Sequence, residues 1–193
     1  MDRREALKRT ALLMGGVVSA PAIAGILKGC TPKPGVDWTP VFLQQDQAAI
    51  VSNVSEIIIP KTDTPGAKDV GVPGFIDKML KEVYSEEDQK FFMDGLAAFN
   101  DEAKKEFGDE FLDLSEEDQK ALVKKVHDAA IEAERTTKPA PKRPFILMMK
   151  ELTMLGFFTS EAGATQVLQY LPVPGSYKGC VPVSEAGNGR TWA

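Results

Sequence analysis

From Gln44 to Ile59 the apolar residues Ile50, Val51, Val54, Ile57 and Ile58 recur at intervals of three and four, and Pro60 stops the run; the spacing predicts a buried amphipathic helix. After Val72-Pro73-Gly74 the same spacing returns at Phe75, Ile76, Met79, Leu80 and Val83 and predicts a second. The hexapeptide Ser-Glu-Glu-Asp-Gln-Lys occurs at 85–90 and again at 115–120. Each serine can cap a first turn, and the acids behind it suit the positive end of a helix dipole. A 30-residue interval also suits stacked modules. The residues behind the two hexapeptides do not repeat, however: Phe91, Phe92, Leu96 and Phe99 line one run, Leu122, Val123, Val126, Ala129 and Ala130 the other, so two independent caps are expected.

Phe145, Ile146, Leu147, Met148, Met149, Leu152 and Leu155 predict a helix that is apolar nearly all round, which belongs either at the centre of a core or beneath another protein. Its methionines read as core filling. Thr159-Ser160-Glu161 reads as the cap of a short helix ending near Tyr170. Lys61–Ala67 is a turn-rich loop and Lys138–Pro144 an extended connection, both set by proline and glycine. The fold expected is all-α, an irregular bundle of about five or six helices. Its segments are 1–29, an export signal; 30–39, a linker; 40–170, the helical domain; and 171–193, an extended tail. That tail carries Tyr177, Cys180 and Trp192 and must fold back, lie disordered or lie across a partner, the aromatic content favouring the last.

The amino-terminal end departs from this pattern. Arg3-Arg4-Glu5-Ala6-Leu7-Lys8 precedes the uncharged stretch Ala11–Leu27, with Gly15, Gly16, Pro21 and Gly25 inside it. Basic, then apolar, then small is the order of an export signal, and paired arginines before a mild apolar region point to the twin-arginine route, with Arg3, Arg4, Leu7 and Lys8 as its residues. Leu27-Lys28-Gly29-Cys30 has the form of a lipobox, making Cys30 the lipidation candidate and the membrane reachable through a lipid anchor. Cleavage before Gly25, after Ala22-Ile23-Ala24, and retention as an uncleaved anchor stay open. The location expected is the periplasm or envelope.

Charge and composition narrow the chemistry. The formal charge of −5 divides into +3 over residues 1–29 and −8 over the rest, so nucleic acid is not an expected partner. The chain has one histidine, His127, and two cysteines, which excludes a multi-histidine metal site, a four-cysteine zinc site and a disulfide scaffold. No CxxCH and no Gly-x-Gly-x-x-Gly after a strand-like run are present, so no haem or dinucleotide is expected on this chain. His127 beside Asp128 reads as a surface or boundary histidine, and Asp63 and Asp69 as caps and solvated charges. No catalytic, cofactor-binding or metal-ligating residue is assigned. Cys180 is open between a bond to a partner, a free buried thiol and, if cleavage falls before Gly25, a pair with Cys30.

The order of several short motifs carries a resemblance. Glu56-Ile-Ile-Ile-Pro60, Thr62-Asp-Thr-Pro-Gly-Ala67, Val70-Gly-Val-Pro73 with Phe75-Ile-Asp77, Gly156-Phe-Phe-Thr-Ser-Glu161 and Tyr170-Leu-Pro-Val-Pro-Gly-Ser-Tyr177 together resemble the gluconate 2-dehydrogenase subunit 3 family over roughly residues 40–185. The resemblance implies a small exported subunit, not itself an enzyme. Its implied partner is a catalytic subunit of the glucose-methanol-choline type carrying FAD, often with a multihaem cytochrome c subunit. It also implies passage through the twin-arginine translocase, with the small chain providing the signal for a folded partner. On that footing the segment Phe145–Phe158 and the tail from Tyr170 to Cys180 are expected to form much of the partner surface, with Phe157, Phe158, Tyr170, Tyr177 and Cys180 as candidate contacts. The alternative is a free-standing surface lipoprotein that binds a protein or a ligand.

Overall fold

Ser85 and Ser115 do at their helix starts what their sequence context predicts. Each accepts a hydrogen bond from the amide three residues on, Asp88 N and Asp118 N, at 3.2 Å. The two hexapeptides also share a contact that the sequence does not announce. Gln89 and Gln119 each turn their side-chain amide back to the carbonyl five residues earlier, Tyr84 O at 3.2 Å and Leu114 O at 3.3 Å. Each also reaches one further back, Leu80 O and Phe111 O. One short sequence therefore both starts a helix and satisfies carbonyls left over from the preceding turn.

The computed structural model describes residues 36–137, 142–173, 175–176, 179–186 and 189–191. The export signal with Arg3, Arg4, Leu7 and Lys8, the lipidation candidate Cys30, and Tyr177 lie outside them. Contacts divide the chain at Pro34, and the unit Gly35–Ala193 is the one described. Its elements are α1 (Gln45–Ile58), α2 (Val72–Glu82), α3 (Glu86–Phe107), a 3-10 turn (Phe111–Asp113), α4 (Glu116–Thr136), α5 (Phe145–Phe158), a π-helical turn (Gly163–Val167) and the short α6 (Val183–Ala186). The fold is an all-α irregular bundle, as the spacing predicts.

The near-uniform apolarity of α5 has its explanation at the centre of the bundle. This helix packs against α1, α2, α3, α4 and the π-helical turn. Nine of its fourteen residues are buried, including Ile146, Met149, Leu152 and Phe157. Each large apolar side chain so placed contributes about 1.5–3 kcal/mol. Its first residue, Phe145, seats edge-on against Phe92 with ring centroids 5.0 Å apart and stands 5.7 Å from Phe99, which in turn meets Phe111. That approach requires Gly95 on α3, where a methyl group would stand 2.5 Å from the Phe145 Cβ.

The packed body starts before the expected end of the linker. Val36 and Trp38 pack against the core, and the indole of Trp38 lies over Gly74 in the first turn of α2. The carboxylate of Asp77, only 1 % exposed, holds this approach in place. It accepts from Val41 N at 2.6 Å, Phe42 N at 3.1 Å and Leu43 N at 2.8 Å. A residue of α2 thus ties down the segment that enters α1. At the other end, the chain after α5 bends through Ser160, whose hydroxyl accepts from Gly163 N, into the π-helical turn. The tail folds back far enough for Gln169 N to donate to Thr191 O at 2.7 Å.

Candidate interaction surface

Of the two loop acids that the sequence offers, Asp69 is structural. Asp69 accepts from Gly66 N at 3.1 Å and pairs with Lys61 at 3.1 Å. These two contacts, the Gly66 amide first and the Lys61 ammonium second, hold its carboxyl below the ordinary carboxylate value. Glu56 braces the same loop from α1, taking Lys61 N and Lys68 N, each at 3.0 Å, on its two oxygens. Lys68 reaches across to Asn53 Oδ1 at 2.7 Å. Both carboxylates are thus committed to backbone amides of one turn, the task that short-loop acids commonly perform. Asp63 is exposed at its tip.

The outward side of α5 is a different kind of surface. At about 100° per residue, Lys150, Glu151, Met154, Leu155 and Phe158 fall on one stripe. Met154 and Leu155 are 43 % and 47 % exposed, although both neighbours of the pair, Thr153 and Gly156, are buried. Glu151 is occupied by Arg143 at 2.9 Å. Burial pushes the Tyr84 hydroxyl up, and the nearby charges of Glu151 and then Asp88 add to the shift. Beyond the π-helical turn, Tyr170 and Val173 stand 56 % and 79 % exposed, with Leu171 between them also uncovered.

At the Lys150 end of that stripe lies a cavity of about 220 Å³ between α1, α4 and α5. Ile57, Ile58, Val123 and Ile146 give it apolar walls, and its basic side chains are Lys120, Lys124, His127 and Lys150. Lys150 Nζ stands 3.1 Å from His127 Nε2, and His127 Nδ1 stands 3.2 Å from Asp128 Oδ1. An ammonium group only donates, so Nε2 accepts and the ring proton belongs on Nδ1, facing Asp128. Lys124 is paired with Asp128 at 2.6 Å, and Lys120 only loosely with Glu116 at 3.8 Å. His127 is thus the boundary residue its position predicts, at 27 % side-chain exposure. Its contact with a lysine is not legible in the sequence.

The predicted contact residues separate. Phe157 is 2 % exposed and stacks edge-on with Phe158 at 5.3 Å, so it belongs to the core and is not presented to a partner. Its place on the surface is taken by Met154 and Leu155, three and two residues earlier, which share the stripe of Lys150 and Glu151, the charged pair that marks the outward side of the helix. Phe158 is half-buried at the edge of the stripe, and Tyr170 is exposed. Cys180 is exposed with a free thiol. Among the described residues no cluster of three metal-ligating side chains is present, and no helix is long and apolar enough to cross a membrane.

No curated protein and no solved structure matches this chain. The profile of one protein family, gluconate 2-dehydrogenase subunit 3, matches residues 45–175, which run from the first residue of α1 through the exposed apolar segment after the π-helical turn. That span takes in every helix of the bundle except the short α6, and the chain belongs to the gluconate 2-dehydrogenase subunit 3 family.

Proposed function

We propose that this chain is the non-catalytic small subunit of an exported, membrane-associated, flavin-dependent dehydrogenase, and that it supports twin-arginine co-export, folding and stability of its catalytic subunit. The family match over residues 45–175 carries this reading, since a subunit 3 implies association with the other subunits of a dehydrogenase complex. The surface supports it. A chain that buries Ile146, Met149, Leu152 and Phe157 efficiently nonetheless leaves Met154, Leu155, Tyr170, Leu171 and Val173 in solvent, as a subunit with a missing partner does. FAD, and haem where a multihaem cytochrome c subunit joins, belong in this proposal to the partners. The twin arginines, Arg3 and Arg4, supply the signal, and Cys30 the lipid anchor. The site of action is then the periplasmic or envelope side of the membrane.

Affinity purification from the native envelope tests the proposal, with an absorption spectrum and mass identification of what accompanies the chain. The expected result is a stoichiometric large flavoprotein whose flavin bands co-elute. Recovery of the chain alone and colourless refutes it and favours a free-standing surface lipoprotein.

A further inference from the structure

Lys150 is the feature of the outward α5 stripe that the packing of the bundle leaves unexplained. It is half-buried, and its one hydrogen-bond partner among the described residues is the neutral His127 ring at 3.1 Å, with no carboxylate paired to it. A partly desolvated cation without a counter-ion is costly, and most lysines remain in water for that reason. Lys124 on the same cavity is neutralised by Asp128 at 2.6 Å and Lys120 is held only loosely by Glu116 at 3.8 Å, so Lys150 and Lys120 are the cations left to meet an acid, on a body whose formal charge beyond residue 29 is −8. Met154 and Leu155, both exposed, follow Lys150 four and five residues on, about one turn further along α5.

We propose that this cavity receives a carboxylate side chain of the catalytic subunit, carried on a segment whose neighbouring apolar side chains lie along Met154, Leu155 and Phe158. This rests on the reading of the chain as an accessory subunit and adds the point at which the partner is held. Charge complementarity selects the acid. The uncovered apolar stripe, about 12 Å from Lys150 to Phe158 at 1.5 Å per residue, fixes where the apolar part of the segment must lie. Burying the Lys150 ammonium against a carboxylate removes its uncompensated charge and makes the contact specific for that partner.

The test uses the complex purified from the envelope. A water-soluble carbodiimide, which joins a touching amine and carboxylate as an amide with loss of water, is applied to the wild-type complex and the cross-linked peptides are sequenced. The expected product joins Lys150 to an Asp or Glu of the co-purified subunit. In parallel, Lys150→Gln and Lys150→Glu should weaken the complex by about 30-fold or more while leaving the helical circular dichroism melt of the small chain unchanged. A complex that co-purifies intact, cross-links to the partner only elsewhere and loses less than about twofold in affinity on either substitution overturns this proposal and leaves the accessory-subunit reading standing. A chain recovered with no partner overturns both.

Discussion

Removing the Asp77 carboxylate should loosen the whole entry into the bundle. The side chain is 1 % exposed and holds three backbone amides, two on Oδ1 and one on Oδ2. A hydrogen bond to a charged acceptor is worth about 1.5–3 kcal/mol net, and a buried donor left without an acceptor costs about 1–3 kcal/mol. Leu43 is buried and its amide bears that cost in full, while Val41 and Phe42 lie nearer solvent and recover part of theirs from water. Asp77→Ala is therefore expected to cost about 3–5 kcal/mol, a large part of the roughly 5–15 kcal/mol typical of a domain. Asp77→Asn can keep an oxygen at the Oδ1 position but turns an NH2 group toward Val41 N, so it should cost about half as much. Urea denaturation followed by circular dichroism gives both values. Trp38 fluorescence, isolated by Trp192→Phe because the chain has two tryptophans, reports the local release as a red shift. A loss below about 1 kcal/mol for Asp77→Ala, or a full loss with Trp38 emission unmoved, refutes the reasoning.

Three more outcomes are set by the geometry. Ser85→Ala and Ser115→Ala should each cost about 1 kcal/mol, and the double variant their sum within about 0.5 kcal/mol; urea midpoints that deviate further show that the caps are coupled. Gly163→Ala would drive a methyl group into the carbonyl of Phe157, a backbone atom that cannot move cheaply, so a loss of about 3 kcal/mol or more is expected in the same assay and a loss under about 1 kcal/mol counts against it. Lys142 and then Ser85 hold the Asp88 carboxyl below its ordinary value of 3.8, so its contribution is present above the unfolded carboxyl's pKa and is lost as pH falls through the lowered one. The stability gap between wild type and Asp88→Asn should then be constant above about pH 5 and close below about pH 4; a gap unchanged down to about pH 2 refutes the pairing.

What is legible in the sequence is what is local. Serine caps act on amides three residues away, and apolar spacing within one helix declares its buried side, so α1 to α5 are readable from periodicity and punctuation. The α5 pattern leaves two readings, and both hold in part: most of the helix is core, but Met154 and Leu155 are not. Asp77 is out of reach because a lone acid on a helix reads as a solvated charge, and its partners are amides 34 to 36 residues away that only the tertiary fold brings close; Glu56 takes amides 5 and 12 residues on, but only the path of the loop turns them toward it. His127 and Lys150 meet across 23 positions for the same reason. The π-helical turn after Ser160 carries no apolar periodicity of its own, and it is fixed by the close passage of Gly163 over Phe157.

The position of α5 in the chain has a consequence for how the protein is made. Every other large helix leans on it, yet it is the last of them to be synthesised, and its contacts with α1 link residues about a hundred positions apart. During translation α1 can pair with α2 and α3 with α4, but the apolar faces that these helices turn toward α5 stay open until it is made. Closure of the bundle core therefore waits on the carboxyl-terminal third of the chain.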